Sequence, residues 1–266
     1  MIDDVQLIEW SYSGKSEYDT KAYNRFREVV SNNFDIKEIF LQGSYANSTG
    51  ALTSSDVDIV TICNGYYINS YDRKTDLGQL KYDLYDAIEG FHNFHFELGK
   101  KTIKYLGSPK YSPVDILPCI HYTNRYGDSG IAFYDHSRNT VIFNYPKQHR
   151  ENGMEKNKRT YGSYKKTVRV FKNLRDCLVD EGKIGASVAP SYFLECLLYN
   201  VPDYHYKEYV PDSFLVVLEW LISNKGNAHN FRCQNEIQYL FRTPNGWNLG
   251  DCYIFLDAIQ KWVRYA

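Results

Sequence analysis

The sequence predicts an α+β fold in which a mixed sheet with helices is followed by an all-helical second half. Up to about residue 145, short apolar segments of strand character alternate with helical patterns, and Gly, Pro and Asn separate them. After Pro146 the strand patterns fade, and apolar residues recur at helical spacing as far as the C-terminus. We therefore predict two domains, residues 1–145 and 146–266, with a functional cleft between them.

Helices are expected over residues 16–34 and 72–91, because apolar side chains recur there every three or four positions. The segments around them are short, apolar and bounded by turn-forming residues, which is typical of strands. The remaining predicted strands and helices are 36–41, the strand carrying Asp56 and Asp58, 100–106, 114–119, 131–134 and 140–144, then helices 164–181, 191–199, 212–223 and 249–265.

The composition indicates a folded protein with no general affinity for nucleic acid. Of the 266 residues, 43% are hydrophobic and 16% aromatic, which suffices for one good core or two smaller ones. The formal net charge of −1 provides no basic field, so small anionic substrates are favoured over duplex DNA. There is no apolar stretch of about eighteen residues that would predict a membrane span. The N-terminus lacks signal-peptide features and the six cysteines are dispersed, so we expect a cytoplasmic protein with reduced thiols.

The chemistry is expected where a strand carries two carboxylates, Asp56 and Asp58. Residues two apart on a strand point to the same face, so these side chains repel each other unless a cation lies between them. Asp115 lies in a second short apolar strand, between Pro113 and Pro118, and supplies a third carboxylate. Because Mg²⁺ prefers carboxylate oxygens as ligands, we predict a metal site at these three acids.

A turn that opens with Gly43 and Ser44 precedes this strand, and eleven residues separate Ser44 from Asp56. Glycine lets backbone N–H groups approach a phosphate closely, and the Ser44 hydroxyl adds a donor. Gln42, directly before the turn, is a further candidate for nucleotide binding. A Gly-Ser turn beside three acids is typical of two-metal phosphoryl or nucleotidyl transfer. Two simpler interpretations stay open: Asp115 could pair with a lysine or arginine, and Asp56 could be an ordinary strand residue.

The order of these motifs resembles the DNA polymerase β-like nucleotidyltransferase superfamily. A narrower resemblance rests on the segments GSY, DVD, VDILPC, YPKQHRENGMEKN and PSYFLECLLYNVPD. Over about residues 41–203 the chain is similar to the bacterial cGAS/DncV-like nucleotidyltransferases (CD-NTases), and most similar to the clade E enzymes that make cyclic dinucleotides. This resemblance implies a polymerase β-like catalytic core at 1–145, a helical nucleotide-binding domain at 146–266 and an active-site cleft between them.

The second half carries a basic run over residues 156–175, for most of which we expect an exposed helix face. The spacing from Lys172 to Ser191-Tyr192 resembles cyclic GMP-AMP synthase and oligoadenylate synthase. That resemblance implies that Lys172 and Ser191 hold phosphates and that Tyr192 stacks on the base. The alternative for Tyr192 is a core position, and Glu195 is expected to pair locally rather than to catalyse.

Two asparagines lie in the distinctive segment at the domain junction, Asn152 and Asn157. Some members of the resembled family select a pyrimidine through an asparagine in this neighbourhood. The resemblance therefore makes both residues candidates for contact with a base edge. Roles at a helix end are the alternative for each.

The resemblance implies an Mg²⁺-dependent nucleotidyltransferase that joins NTPs into a cyclic dinucleotide, or a short cyclic oligonucleotide, and releases pyrophosphate. It implies two Mg²⁺ ions, with Mn²⁺ as an alternative, and ATP as substrate, with UTP or GTP as further candidates. The product would act as a second messenger in antiphage defence by activating an effector, and we expect no duplex DNA requirement and no membrane partner. Two alternatives are a transferase that modifies tRNA or protein, and an inactive nucleotide-binding regulator.

Overall fold

The computed structural model describes residues 3–14, 17–50, 56–69, 71–72, 74–91, 94–242 and 247–265. The chain divides into two compact units. The sheet unit comprises Lys15–Ala46 and Ser55–Pro146, and the helical unit comprises Met1–Gly14, Asn47–Ser54 and Lys147–Ala266. None of the helices in the described ranges combines the length and the apolar character that crossing a membrane requires.

The described part of the sheet unit contains one mixed seven-stranded sheet. Its strands are β1 (Ile36–Gln42), β2 (Val57–Cys63), β3 (Glu97–Leu98), β4 (Ile103–Tyr105), β5 (Val114–Thr123), β6 (Ser129–Asp135) and β7 (Thr140–Asn144). The order is β1-β2-β5-β4-β3, and the second half of β5 pairs with β6, which pairs with β7. Only the β2–β5 pairing among these described strands is parallel. The longest strand, β5, therefore lies at the centre and connects both parts of the sheet.

Two helices, α2 (Glu17–Asn33) and α4 (Leu80–Ile88), pack on the face of the sheet to which Val57 and Ile59 point. Val60 and Ile62 pack instead in a separate cluster with residues of β5, β6 and β7. This alternation follows from the period of two along a strand. It puts Asp58 on the same face as Val60 and Ile62, away from α2 and α4.

The helical unit is built from α1 (Asp4–Trp10), α5 (Pro146–Arg159), α6 (Ser163–Asp180), α7 (Ser191–Tyr199), α8 (Val210–Ser223) and α9 (Leu249–Tyr265). Short 3₁₀ turns at Asp203–His205 and Lys225–Asn230 connect some of these helices. Helix α6 lies in the middle of the core, because its Phe171 and Leu174 are fully buried in one cluster with Phe193, Phe214 and Phe255.

The predicted helix 72–91 is shorter in the structure, where α4 begins at Leu80. The preceding backbone bonds to another segment, since Tyr67 N–H donates to Thr75 O at 2.8 Å and Leu77 N–H donates to Tyr67 O at 2.9 Å. The Asp76 carboxylate also accepts from Gly78 N–H at 2.8 Å. These bonds compete with helical hydrogen bonds. The spacing of apolar residues therefore predicts a longer helix than the structure contains.

Helix α5 was not predicted as a helix, because Met154 is the sole strongly apolar side chain in its sequence. Polar contacts stabilise it instead. Lys156 is buried, and its ammonium group donates to Val201 O and to Asp203 Oδ1, both at 2.7 Å. The expectation of an exposed basic face is therefore wrong for Lys156. Arg169 and Lys172 of α6 are buried as well, and the second of these was predicted to hold phosphate.

Candidate active site

Four polar side chains form one row across the sheet. Gln42 of β1 lies opposite Asp58 of β2, Asp58 lies opposite Asp115 of β5, and Asp115 lies opposite Lys104 of β4. Residues directly opposite on neighbouring strands point to the same face, with their Cβ atoms about 5 Å apart. The sheet register therefore brings together the predicted residues Gln42, Asp58 and Asp115, and it adds Lys104.

Asp115 lies in a partly buried environment that contains both negative and positive groups. Burial raises the pKa of its carboxyl above the ordinary value, Lys104 opposes this effect, and Asp56 contributes in the same direction as burial. The Lys104 ammonium lies 3.3 Å from Asp115 Oδ2, and the Thr102 hydroxyl donates to the same oxygen at 3.3 Å. The partnership with a lysine that the sequence left open is therefore present.

The ion pair between Lys104 and Asp115 is weak because it is accessible to solvent. The Lys104 side chain is 42% exposed, and pairs of this kind contribute about 0–1 kcal/mol. A competing cation could displace such a lysine at small cost. The pair is therefore compatible with a metal site at Asp115.

Gly43 begins the short helix α3 (Gly43–Asn47), directly after β1. Its φ angle is +69°, and a Cβ atom built on it would lie 1.9 Å from Asp58 Oδ2. Both observations require glycine, because other residues rarely adopt this φ and none would fit beside the carboxylate. The Gly-Ser turn and Asp58 are thus in direct contact. Ser44 follows in α3 and is half-buried.

The carboxylates of the row suit a divalent cation in their chemistry. Among the described residues, no three His, Cys, Asp or Glu side chains are grouped so as to hold a metal ion by themselves. Asp58 and Asp115 nevertheless supply two carboxylates at neighbouring positions, and exposed Asp56 influences the pKa of Asp115. Mg²⁺ commonly takes one or two carboxylates and completes its shell with water and substrate phosphate oxygens. The donor set therefore fits Mg²⁺.

The predicted phosphate ligand of the helical unit, Lys172, is 2% exposed. Its ammonium group donates to Glu195 Oε1 at 2.6 Å and to the Thr49 hydroxyl at 3.1 Å. A lysine has three donors, so two of them are used by these contacts. Ser191, the other predicted phosphate ligand, is half-buried at the first position of α7.

Glu195 accepts four hydrogen bonds and is 3% exposed. Its Oε1 atom also accepts from the Thr49 hydroxyl at 2.5 Å, while Oε2 accepts from Asn47 Nδ2 at 2.8 Å and from His149 Nε2 at 2.7 Å. Burial would raise the pKa of this carboxyl, but the charge of Lys172 and the bond from His149 outweigh it and hold the pKa well below its ordinary range. Glu195 was expected to pair locally, whereas its partners come from distant segments of the chain.

Tyr192 contacts aromatic rings within the helical unit. Its ring stacks on His149, with centroids 4.5 Å apart, and on Trp247, with centroids 5.3 Å apart. Both interplanar angles are small, at 21° and 15°. The tyrosine that the resemblance assigns to base stacking thus makes two stacking contacts with the protein itself.

The two asparagines predicted at the base edge also bond to the protein. Asn152 Nδ2 donates to Gln234 O at 2.9 Å, and Asn157 Oδ1 accepts from Lys165 N–H at 3.0 Å. Asn157 therefore supports the start of α6, one of the helix-end roles that the sequence left open. Asn152 connects α5 to the segment after α8.

Sequence reasoning missed Lys104, Asn47, Thr49 and His149 as neighbours of the candidate residues. The first is revealed by strand register alone, and the others by contacts that join distant segments. The one available signal was for Lys104, which lies in the predicted strand that precedes the strand of Asp115. His149 lies in the distinctive segment at the domain junction, but nothing in that segment predicts its contact with Glu195.

Comparison with known proteins agrees with the geometry. Residues 23–126 match the family model "Nucleotidyltransferase domain", and residues 151–264 match "cGAS/DncV-like nucleotidyltransferase C-terminal helical domain". The chain is 35% identical to the cyclic UMP-AMP synthase of Rhodothermus marinus, over 99% of this chain and 96% of that protein.

Two solved structures have the same fold along the whole chain. The Rhodothermus marinus CdnE c-UMP-AMP synthase with Apcpp and Upnpp aligns with a TM-score of 0.83 and 32% identity, covering 100% of this chain and 98% of that one. The Elizabethkingia meningoseptica CdnE cyclic dinucleotide synthase with GTP and Apcpp aligns with a TM-score of 0.87 and 28% identity, covering 100% of both chains. The predicted combination of a polymerase β-like α+β core and a helical domain is confirmed, as is the resemblance that carried it. The chain is a nucleotidyltransferase, an enzyme class that depends in general on divalent metal ions, and it belongs to the cGAS/DncV-like nucleotidyltransferases.

Proposed function

We propose that this enzyme joins two NTPs into a cyclic dinucleotide and releases pyrophosphate at each of two successive steps. The observation that carries the proposal is the row Gln42–Asp58–Asp115 beside Gly43, which supplies carboxylates and a close backbone approach at one place. The full-length similarity to enzymes named as cyclic dinucleotide synthases supports the choice of product.

Asp56, Asp58 and Asp115 would hold two Mg²⁺ ions, with Mn²⁺ as an alternative. When bound, these ions make the acceptor hydroxyl more acidic and neutralise the charge on the departing pyrophosphate. Gly43 lets the backbone of the turn lie directly against the Asp58 carboxylate, and Gln42 and Ser44 would offer donors to the triphosphate oxygens. The hydroxyl oxygen attacks the α-phosphorus, the bond to the β-phosphate oxygen breaks, and Asp115 accepts the hydroxyl proton.

The remaining nucleotide contacts are proposed in the helical unit. Lys172 has one ammonium donor beyond those that bind Glu195 and Thr49, and this donor would bind phosphate together with Ser191. Tyr192 would stack on a base, and Asn152 or Asn157 would contact a base edge, once their present contacts rearrange. ATP is the first substrate candidate, with UTP or GTP as the second nucleotide.

The product would act as a second messenger in antiphage signalling and would activate a nucleotide-binding effector. The chain has a near-neutral net charge of −1, which supports activity without duplex DNA. A cytoplasmic location follows from this role, since both nucleotides and effector would be found there.

A direct assay tests the proposal. The protein is incubated with all four NTPs and Mg²⁺, with and without duplex DNA, and the products are identified by mass after phosphatase treatment. We expect a phosphatase-resistant cyclic product with and without DNA, and no product from Asp58→Asn. Label that stays on added tRNA or protein would favour the macromolecular acceptor, and equal behaviour of wild type and Asp58→Asn would favour the inactive regulator.

A further inference from the structure

The segment after the Gly-Ser turn is held by a buried network centred on Glu195, a residue to which the proposed transfer chemistry gives no role, although its partner Lys172 is a proposed phosphate ligand. Asn47 and Thr49 are 7% and 2% exposed, and both donate to Glu195. Glu195 also binds Lys172 and His149, so each carboxylate oxygen accepts two hydrogen bonds. A carboxylate has about four acceptor sites, and this one is therefore saturated.

Saturation explains why a buried charge is tolerated here. An isolated carboxylate in the interior is very costly, and pairing together with hydrogen bonds offsets that cost. Glu195 has both, from Lys172 on α6 and from His149 on α5. The segment Asn47–Thr49 is thus attached through the Glu195 carboxylate to three helices: α7, which carries Glu195, and α5 and α6, which carry its partners.

A second contact fixes the same segment. Ser48 has a φ angle of +56°, an unusual conformation for a residue other than glycine, asparagine or aspartate. Its carbonyl oxygen accepts from Arg169 Nη1 at 2.6 Å, and Arg169 is itself mostly buried. Strained backbone persists where its surroundings determine it, and such positions cluster at functional sites.

The held segment, Asn47–Thr49, is connected to the Gly-Ser turn by helix α3. Helix α3 begins at Gly43, which contacts Asp58, and it ends at Asn47, which contacts Glu195. Tyr45, between them, shares a hydrogen bond of 2.8 Å with Thr20 of α2. A single short helix therefore has one end at the candidate metal ligand and the other end in the Glu195 network.

We propose that Glu195 is a positioning residue for nucleotidyl transfer: by binding Asn47 and Thr49 it fixes the end of α3 and thereby holds Gly43 and Ser44 in place for the triphosphate. The inference rests on the proposed function for its kinetic consequence. Its physical content, the immobilisation of residues 43–50 by the Glu195 network, is independent of that function.

A matched pair of threonines tests the proposal. Thr49→Val removes the hydroxyl that joins Glu195 and Lys172. Thr167→Val makes the same change at another buried site, where the hydroxyl bonds to Ser163 O at 2.9 Å and to Ser213 Oγ at 2.8 Å. Both variants lose two buried hydrogen bonds, but only the first touches the segment after α3.

For the full-length enzyme we expect Thr49→Val to lower kcat about tenfold with KM within about twofold, because misplacement of the reacting groups affects the transition state most. Thr49→Ser restores the hydroxyl and should restore kcat, and Thr167→Val should keep it. Hydrogen–deuterium exchange of residues 43–50 should quicken in Thr49→Val and in Glu195→Gln, and not in Thr167→Val.

Equal kcat and equal exchange in Thr49→Val and Thr167→Val would overturn the proposal. If Glu195→Gln does not fold, the threonine pair alone decides. If the wild-type enzyme yields no product from NTPs, the proposed function fails, whereas the exchange comparison still shows whether the network immobilises residues 43–50.

Discussion

Asp58 and Asp115 lie directly opposite each other on the parallel strands β2 and β5. Like charges at opposite positions of a sheet are destabilising, so we expect this pair to cost stability when no metal ion is bound. Removal of either carboxylate should therefore affect activity and stability in opposite directions, which is the first prediction.

Asp58→Asn and Asp115→Asn should each lower kcat by about 1,000-fold, since each would remove a metal ligand worth several kcal/mol in the transition state. In buffer with EDTA, both variants should melt at or above the wild-type temperature, because the repulsion is relieved. The measurements are product formation with Mg²⁺ and thermal unfolding without it.

Asp135→Asn provides the matched control for these two variants. Asp135 is buried in β6, accepts bonds from Ser137 and pairs with Lys101 at 3.5 Å. Its substitution should lower the melting temperature and leave kcat near the wild-type value. Lower melting temperatures in Asp58→Asn and Asp115→Asn would contradict the prediction that repulsion between these carboxylates destabilises the folded protein.

Gly43→Ala should abolish activity, because the new Cβ atom would collide with the Asp58 carboxylate. A displacement of about 1 Å at a reacting centre can cost about 100-fold in rate, and we expect at least that loss in kcat. Steady-state kinetics and thermal unfolding check the outcome.

The control for this variant is Gly65→Ala. Gly65 has a similar positive φ of +79°, but a Cβ atom there would meet nothing within 4 Å. Both substitutions incur the left-handed backbone cost of about 1–2 kcal/mol, and Gly43→Ala should lose further stability because of its collision with Asp58. An equal loss of kcat in the two variants would show that backbone strain, rather than the collision, is responsible.

Lys104→Met should lower the Mg²⁺ concentration needed for half-maximal activity by a few-fold. Lys104 lies 3.3 Å from Asp115, and a positive charge there competes with a metal ion for the same oxygen. Titration of activity with Mg²⁺ at fixed NTP measures the effect, and it should shrink in high salt, which screens exposed charges. A raised KM for NTP with no change in Mg²⁺ dependence would instead make Lys104 a phosphate ligand.

Glu195→Gln should destabilise the protein by about 3–5 kcal/mol at neutral pH, because it leaves the Lys172 ammonium buried without its counter-charge. The double variant Glu195→Gln/Lys172→Met removes both charges and should recover part of this loss. Denaturant unfolding measures both values. A double variant less stable than the single one would show that Lys172 is stabilised by other groups.

The same carboxylate should contribute to acid unfolding. The pKa of folded Glu195 lies below its unfolded value of about 4.3, so its contribution is complete above that pH and declines as pH falls toward the folded pKa. The ionisable side chains that hydrogen-bond to it are Lys172 and His149. Below about pH 5 the stability of wild type should therefore fall more steeply with decreasing pH than that of the double variant, as followed by unfolding at several pH values.

The sequence was informative wherever a local pattern controls the structure. The strand carrying Asp58 was recognisable from its apolar neighbours, although Asp56 lies just before β2 rather than within it, and the strand around Asp115 was recognisable from its flanking prolines and apolar residues. Helices α6, α7 and α9 were found within a residue of their observed ends, since each has a strong apolar period.

Other features depend on contacts that no local pattern encodes. The position of Asp115 opposite Asp58, and of Lys104 opposite Asp115, follows from strand register, which is set by the packing of the whole sheet. The Glu195 network joins residues separated by as many as 148 positions. Helix α5 is so polar that its burial of His149 and Lys156 is visible only in three dimensions.

The path of the chain between its two units has a practical consequence for dissection of the enzyme. The chain passes from one unit to the other after residues 14, 46, 54 and 146. A fragment cut at the single obvious boundary, after Pro146, would keep Asn47 and Thr49 but lose Glu195, Lys172 and His149. Two buried polar side chains would then have no partners, so a truncated first half is a poor reporter of what the intact polypeptide can do.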